Sequence, residues 1–111
     1  MKKGEVWLVD FNPTSGQEIS KIRPAIIISS NDLGKLNLKV VIPITNSFRM
    51  IEEWHVTLIP SKLNGLSKES VADCFQLKNI STSRFLKKLG NLSDHELDEV
   101  KLAIMKVLEL Y

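Results

Sequence analysis

Lys21-Ile22-Arg23-Pro24-Ala25-Ile26-Ile27-Ile28-Ser29 (KIRPAIIIS) is the stretch on which the fold turns. From Ala25 to Ser29 it is almost continuously apolar. Such a run predicts a strand buried on both faces, or one in the wall of a barrel. Pro24 fixes its own φ near about −65° and pushes Arg23 away from α space. An arginine is therefore held at a defined angle at the mouth of a buried strand. Glu18 and Lys21 stand in the loop just before it.

Short β-like runs surround this strand. Glu5–Asp10 (EVWLVD) precedes it, separated by a loop rich in turn residues (FNPTSGQEISKIRP). After the loop SSNDLGKLN comes Lys39–Thr45 (KVVIPIT), whose Pro43 predicts an edge, a bulge or the end of regular pairing. Asn46–Glu52 is polar. Glu53–Pro60 alternates, with Trp54, Val56 and Leu58 on one face and His55, Thr57 and Ile59 on the other. Ser70–Asn79 reads as a strand that continues through a bend, and Phe85–Leu89 as a short strand closed by Gly90-Asn91.

The pattern then changes. Ser93 followed by Glu96 is a capping box. Leu97, Val100, Ile104, Val107 and Leu108 follow at helical spacing, which predicts one amphipathic helix over about Asp94–Glu109. The fold class is α+β, mainly β: a small curled sheet or barrel with a terminal helix packed on it.

The 111 residues suit a single domain, 1–111, with a hydrophobic core of its own. Hydrophobic residues make up 43% and charged residues 25%, an ordinary balance for a globular chain. A net charge of +2 permits a nucleic-acid partner without demanding one. The single cysteine, Cys74, rules out an internal disulfide and a cysteine-rich metal site. No apolar run reaches signal-peptide length at the N-terminus, nor the roughly 18–20 residues of a membrane span. The expected place is the cytoplasm. No βαβ alternation, GxGxxG or GxxxxGK[ST] occurs, so nucleotide-binding folds built on them are excluded.

Few side chains are equipped for chemistry. His55 and His95, the only histidines, fit no metal-ligand spacing, and Asp94 with Asp98 reads as a solvated helix face. Cys74 reads as a small buried hydrophobe, and no GxSxG elbow is present. No metal and no cofactor is expected. Arg23 and Thr45 stand apart from this. If Ala25–Ser29 and Val40–Thr45 pair antiparallel, the start of one strand lies beside the end of the other. A guanidinium and a hydroxyl would then face one spot, a good site for a phosphate or an oxyanion. Among the aromatics, Trp7 and Phe75 are expected in the core, while Phe11, Phe48 and Trp54 lie in or near loops where bases could stack. His55 is open to contact with a ligand on its face of the strand.

GEVWLVDFNPTSGQEISKIRPAIIIS, VVIPIT, WHVTL, GLSKESVADCFQLKNIS and LKKLGNLSDHELDEVKLAIMKVL occur in that order from Gly4 to Leu108. In combination they resemble the MazF/PemK family of toxin ribonucleases, the toxic halves of bacterial toxin–antitoxin pairs. The resemblance implies an SH3-like, partly closed barrel with a C-terminal helix, a homodimer, and metal-independent cleavage of single-stranded RNA at short sequences. In that chemistry the RNA 2′-hydroxyl attacks the adjacent phosphorus and leaves a 2′,3′-cyclic phosphate and a 5′-hydroxyl.

The resemblance implies a catalytic role for Arg23 and Thr45, with Glu18 as the loop glutamate used in some members. It puts Gln76 and Lys78 on the RNA. From the residues themselves, Phe48-Arg49 in the loop after Thr45 is the expected RNA-touching tip, with His55 and Lys21 as further expected RNA contacts. Arg23 is a poor base, because its pKa lies above about 12, so it reads as a clamp or an acid. Glu18 is the expected acceptor of the 2′-hydroxyl proton, with His55 in reserve. Where many relatives carry Arg-Thr, this chain has Lys78-Asn79, which gives up the bidentate fork, so their base preferences do not carry over. The implied partner is an antitoxin whose disordered tail covers the RNA groove. Two other readings stay open: a CcdB-like gyrase poison, although the chain ends in Glu109-Leu110-Tyr111 rather than Trp-Gly-Ile, and an SH3-like binding module without chemistry.

Overall fold

The computed structural model describes residues 1–13 and 15–111. Among these are seven strands and one α-helix: β1 (Glu5–Asp10), β2 (Ile22–Ile27), β3 (Leu38–Thr45), β4 (His55–Leu58), β5 (Ser70–Asp73), β6 (Lys78–Ser81), β7 (Phe85–Asn91) and α1 (Asp94–Leu108). The sheet runs β4-β5-β3-β2-β1-β7, with β6 also paired to β3, and every pairing is antiparallel. Among the described residues β4 and β7 do not pair with each other, so the barrel stays open, as a partly closed SH3-like architecture requires.

β3 is the hub. On one edge it pairs with β2, with Ala25 opposite Pro43 and Ile27 opposite Val41. On its other edge Leu38–Val41 pair with β6, and Ile44 and Thr45 pair with β5. Pro43 falls between those two partners, where regular pairing is interrupted on that edge. A residue without an N–H is tolerated there. β2 begins at Ile22, earlier than its apolar run suggests, because β1 pairs with it from Asp10 opposite Ile22 onward.

The sheet is buried on both faces, which is why the Ala25–Ile27 run does not alternate. Ile26, Ile42 and Ile44 join a core with Val6, Leu58, Val100 and Ala103. Ala25, Ile27 and Val41 join a second core with Val9, Phe11, Ile80 and Phe85. Each fully buried Ile or Val side chain contributes roughly 1.5–3 kcal/mol. Phe11, expected near a loop surface, is only 1% exposed and belongs to the second core. The expected strand 53–60 shortens to His55–Leu58, with Val56 and Leu58 buried and Thr57 exposed, as its alternation requires.

The expected strand from Ser70 to Asn79 is two strands with a 3₁₀ turn, Cys74–Gln76, between them. Asp73 caps that turn by accepting the Phe75 N–H at 3.2 Å. The turn breaks the strand alternation. Phe75, expected in the core, is 64% exposed as a result.

α1 starts as its sequence requires. Ser93 Oγ accepts the Glu96 N–H at 3.1 Å, and Glu96 Oε1 accepts the Ser93 N–H at 2.9 Å. Val100 and Ala103 are buried against the sheet, but Leu108 is half exposed. The other oxygen of Glu96 accepts from Asn64 Nδ2 at 3.1 Å, which ties the loop after β4 to the helix start. Beside Asn64, Gly65 has φ +69°, and a Cβ there would lie 2.0 Å from the Leu89 carbonyl oxygen. No described helix is long and apolar enough to cross a membrane.

Candidate active site

The β2–β3 register brings the start of one strand beside the end of the other. Continued outward from Ala25 opposite Pro43, it sets Arg23 against Thr45. Arg23 Nη1 donates to Thr45 Oγ1 at 3.4 Å, and Arg23 Nε donates to the Ser20 carbonyl at 3.1 Å. Thr45 Oγ1 also accepts the Ser47 N–H at 3.0 Å. With both lone pairs of the hydroxyl engaged, its own proton is left free to donate.

These groups line a cleft of about 510 Å³ that also takes in Glu18, Phe48, Arg49, His55 and Gln76. A second hollow of about 800 Å³ shares Glu18, His55, Asp73 and Gln76 with it and continues to Trp54, Phe75 and Lys78. The two form one groove. Of the residues singled out in the sequence, Arg23, Thr45, Glu18, Phe48, Arg49, His55 and Gln76 meet in the first part, and Lys78 lies in the second. Lys21 does not line either part. Its backbone explains this. At φ 68° it adopts a left-handed turn, its N–H bonding to Asn12 Oδ1 and its carbonyl accepting from Phe11.

Glu18 Oε2 lies 3.2 Å from Lys78 Nζ, so an ion pair crosses the groove. The pair is partly exposed and therefore weak, of order 0–1 kcal/mol. His55 Nδ1 accepts the Glu52 N–H at 3.0 Å, and its Nε2 stands 4.0 Å from Asp73 Oδ2. The nitrogen lone pair that a base would need is thus already occupied.

The sequence reading missed Asp73, which sits in the strand-like run before Cys74 with no local sign of its role. It is 7% exposed. Nor did it expect Phe75 at the groove, where the exposed Phe75 ring stands 5.4 Å from the half-buried Trp54 ring, edge to face. Burial, and after it the Asp73 carboxylate, push the Cys74 thiol up to about 12, which makes it inert as a nucleophile. No cluster of three or more potential metal-ligating side chains occurs among the described residues.

Residues 2–108 match the family described as PemK-like, MazF-like toxin of type II toxin-antitoxin system. The chain belongs to the PemK/MazF toxin family. Within it, the chain is 28% identical to Endoribonuclease MazF9 of Mycobacterium tuberculosis, over all of this chain and 98% of that protein. It is 34% identical to Endoribonuclease MazF of Staphylococcus saprophyticus, over 94% of this chain and 88% of that protein. Its fold superposes on a mycobacterial endoribonuclease solved in complex with its cognate antitoxin. The TM-score is 0.81, with 18% identity over all of this chain and 97% of that one. The PemK/MazF fold thus accounts for the whole sheet and the terminal helix, and the groove opens where β2 and β3 meet.

Proposed function

We propose that this toxin is an endoribonuclease that cleaves single-stranded RNA at short sequences. The 2′-hydroxyl attacks the neighbouring phosphorus, the P–O5′ bond breaks, and the products are a 2′,3′-cyclic phosphate and a 5′-hydroxyl. The observation that carries this reading is the meeting of the Arg23 guanidinium and the Thr45 hydroxyl, 3.4 Å apart, on the wall of one groove. Negative charge gathers on the non-bridging phosphate oxygens in the transition state. A permanently charged guanidinium and a preoriented hydroxyl proton stabilise that charge where it develops.

Arg23 acts as a clamp on the phosphate, and the leaving 5′-oxygen takes a proton from Arg23 or from solvent to depart as the 5′-hydroxyl. Glu18 accepts the 2′-hydroxyl proton. His55 serves less well, since its Nδ1 is taken by the Glu52 N–H. Phe48, Arg49 and Lys78 flank the RNA path, and the exposed Phe75 ring, backed by Trp54, offers a surface to splayed bases. None of these steps calls on a cofactor.

The proposed partners are a cognate antitoxin segment that covers the groove and a second copy of the chain. The exposed Leu102, Met105, Leu108 and Leu110 offer that copy an apolar face on and just after α1. The proposed place of action is the cytoplasm, where the RNA is found.

The test is direct. Single-stranded RNA is incubated with the purified chain in EDTA, and the ends are mapped. New 5′-hydroxyl ends with cyclic phosphates are expected. Intact RNA, or 5′-phosphate ends, would overturn the reading.

A further inference from the structure

We propose that Gln76 is a positioning residue. Its carboxamide pins the backbone of Gln17 and Ile19 and, through the Ser20 carbonyl, aims the Arg23 guanidinium. This rests on the reading of Arg23 as the group that binds the scissile phosphate.

The carboxamide has only one orientation that satisfies its surroundings. Its Oε1 lies 2.6 Å from the Ile19 N–H, which can only donate. Its Nε2 lies 3.3 Å from Asp73 Oδ2 and 3.4 Å from the Gln17 carbonyl, which can only accept. Turning the amide over would set donor against donor and acceptor against acceptors. Asp73 is itself fixed, because its Oδ1 takes the Phe75 N–H. The 3₁₀ turn makes this possible: side chains three apart eclipse there, which brings residues 73 and 76 together.

Ile19 also packs against the second core, and among the described residues the loop's other polar side-chain link to the β5–β6 turn region is the exposed Glu18–Lys78 pair. Ile19, held by Gln76, is followed by Ser20, whose carbonyl receives Arg23 Nε at 3.1 Å. A shift of the loop would therefore turn the guanidinium away from Thr45. Both N–H donors of the Gln76 amide are spent within the chain, which leaves it little to offer a base. The sequence resemblance set Gln76 on the RNA; the bonding here gives it a different task.

The test compares wild type with Gln76→Leu, which keeps the bulk and removes the bonds. Steady-state cleavage of a single-stranded RNA oligonucleotide gives kcat and KM. NMR of the free protein follows the Ile19 amide and the Arg23 Nε–H. Expected is a fall in kcat of about 10–10²-fold with KM within about twofold, since misplacing a catalytic group by about 1 Å costs on that order. Faster solvent exchange at Ile19 N–H and Arg23 Nε–H is expected alongside.

Gln76→Glu sets a second carboxylate against Asp73 and should lose kcat similarly; adding Asp73→Asn should recover part of it. Unchanged exchange at both protons in Gln76→Leu overturns the proposal whatever the kinetics, and a raised KM at constant kcat overturns it in favour of an RNA contact. If wild type cleaves no RNA, the ribonuclease reading fails, while the exchange data still decide whether Gln76 orders the loop.

Discussion

Thr45 Oγ1 accepts the Ser47 N–H at 3.0 Å while Arg23 Nη1 approaches it at 3.4 Å. The hydroxyl is therefore an acceptor twice over within the chain, and its proton is the part left for a ligand. Thr45→Val should lower RNA cleavage by about 10²–10³-fold, the usual effect of removing one preorganised donor. It should also cost roughly 0.5–1.5 kcal/mol, because the Ser47 N–H loses its acceptor in an exposed loop where water can replace it. Thr45→Ser should restore most of both. Single-turnover cleavage and urea unfolding separate the two effects. Equal activity of the Val and Ser variants would contradict the role given to the hydroxyl.

Arg23 makes two distinct bonds, one through Nε to Ser20 and one through Nη1 to Thr45. Arg23→Ala should reduce the cleavage rate by at least about 10²-fold. Arg23→Lys keeps the charge but has one donor head and no planar fork, so it cannot hold both bonds in the same geometry. It should stay well below wild type while binding RNA with near-normal affinity at low salt. Turnover of Arg23→Ala above about half of wild type would remove Arg23 from the chemistry.

Gly65 is fixed both by its left-handed φ of +69° and by the Leu89 carbonyl oxygen, 2.0 Å from where a Cβ would sit. Gly65→Ala should destabilise by about 3 kcal/mol, the upper end of ordinary point substitutions. Thermal melting should report a fall of more than about 10 °C, at the roughly 4–8 °C per kcal/mol expected for a chain of this size. A melting point within about 2 °C of wild type would mean that the loop moves aside freely.

Glu5 gives the acid limb of stability a testable cause. Burial pushes its carboxyl up, but the Trp7 indole N–H at 2.8 Å, a backbone bond at Lys2 and the charges of the N-terminus and Lys88 outweigh that, so the net shift is downward. A carboxyl whose folded value is depressed stabilises the fold above its ordinary value near 4.5. That contribution disappears as the pH falls from there through the lower folded value. Glu5→Gln should be less stable than wild type at pH 7 and converge with it once the pH has fallen through the lowered folded value. Urea midpoints across that range measure the difference, and a gap independent of pH would refute the linkage.

Much of the architecture was written in local patterns. The apolar run after Pro24, the alternation of Val56 and Leu58, and the Ser93–Glu96 capping box each specify their element through nearest neighbours. The Arg23–Thr45 encounter was also legible, because antiparallel pairing of two runs across one connection allows only a few registers. Lys21 was expected beside the RNA from its place in the loop before Arg23. Its left-handed backbone, tied to Asn12 and Phe11, keeps it off the groove lining.

What the sequence by itself determined is the β-rich class, the terminal helix and the pairing that joins Arg23 to Thr45. Each follows from periodicity, capping or short-range chain geometry. Only the tertiary structure decided that Phe11 is core and Phe75 is exposed, that β5 and β6 are separate strands, and that Gln76 holds a loop 57 residues away in the chain. Those outcomes depend on which surfaces the folded sheet brings together. A contact between residues far apart in sequence has no period for a local pattern to carry.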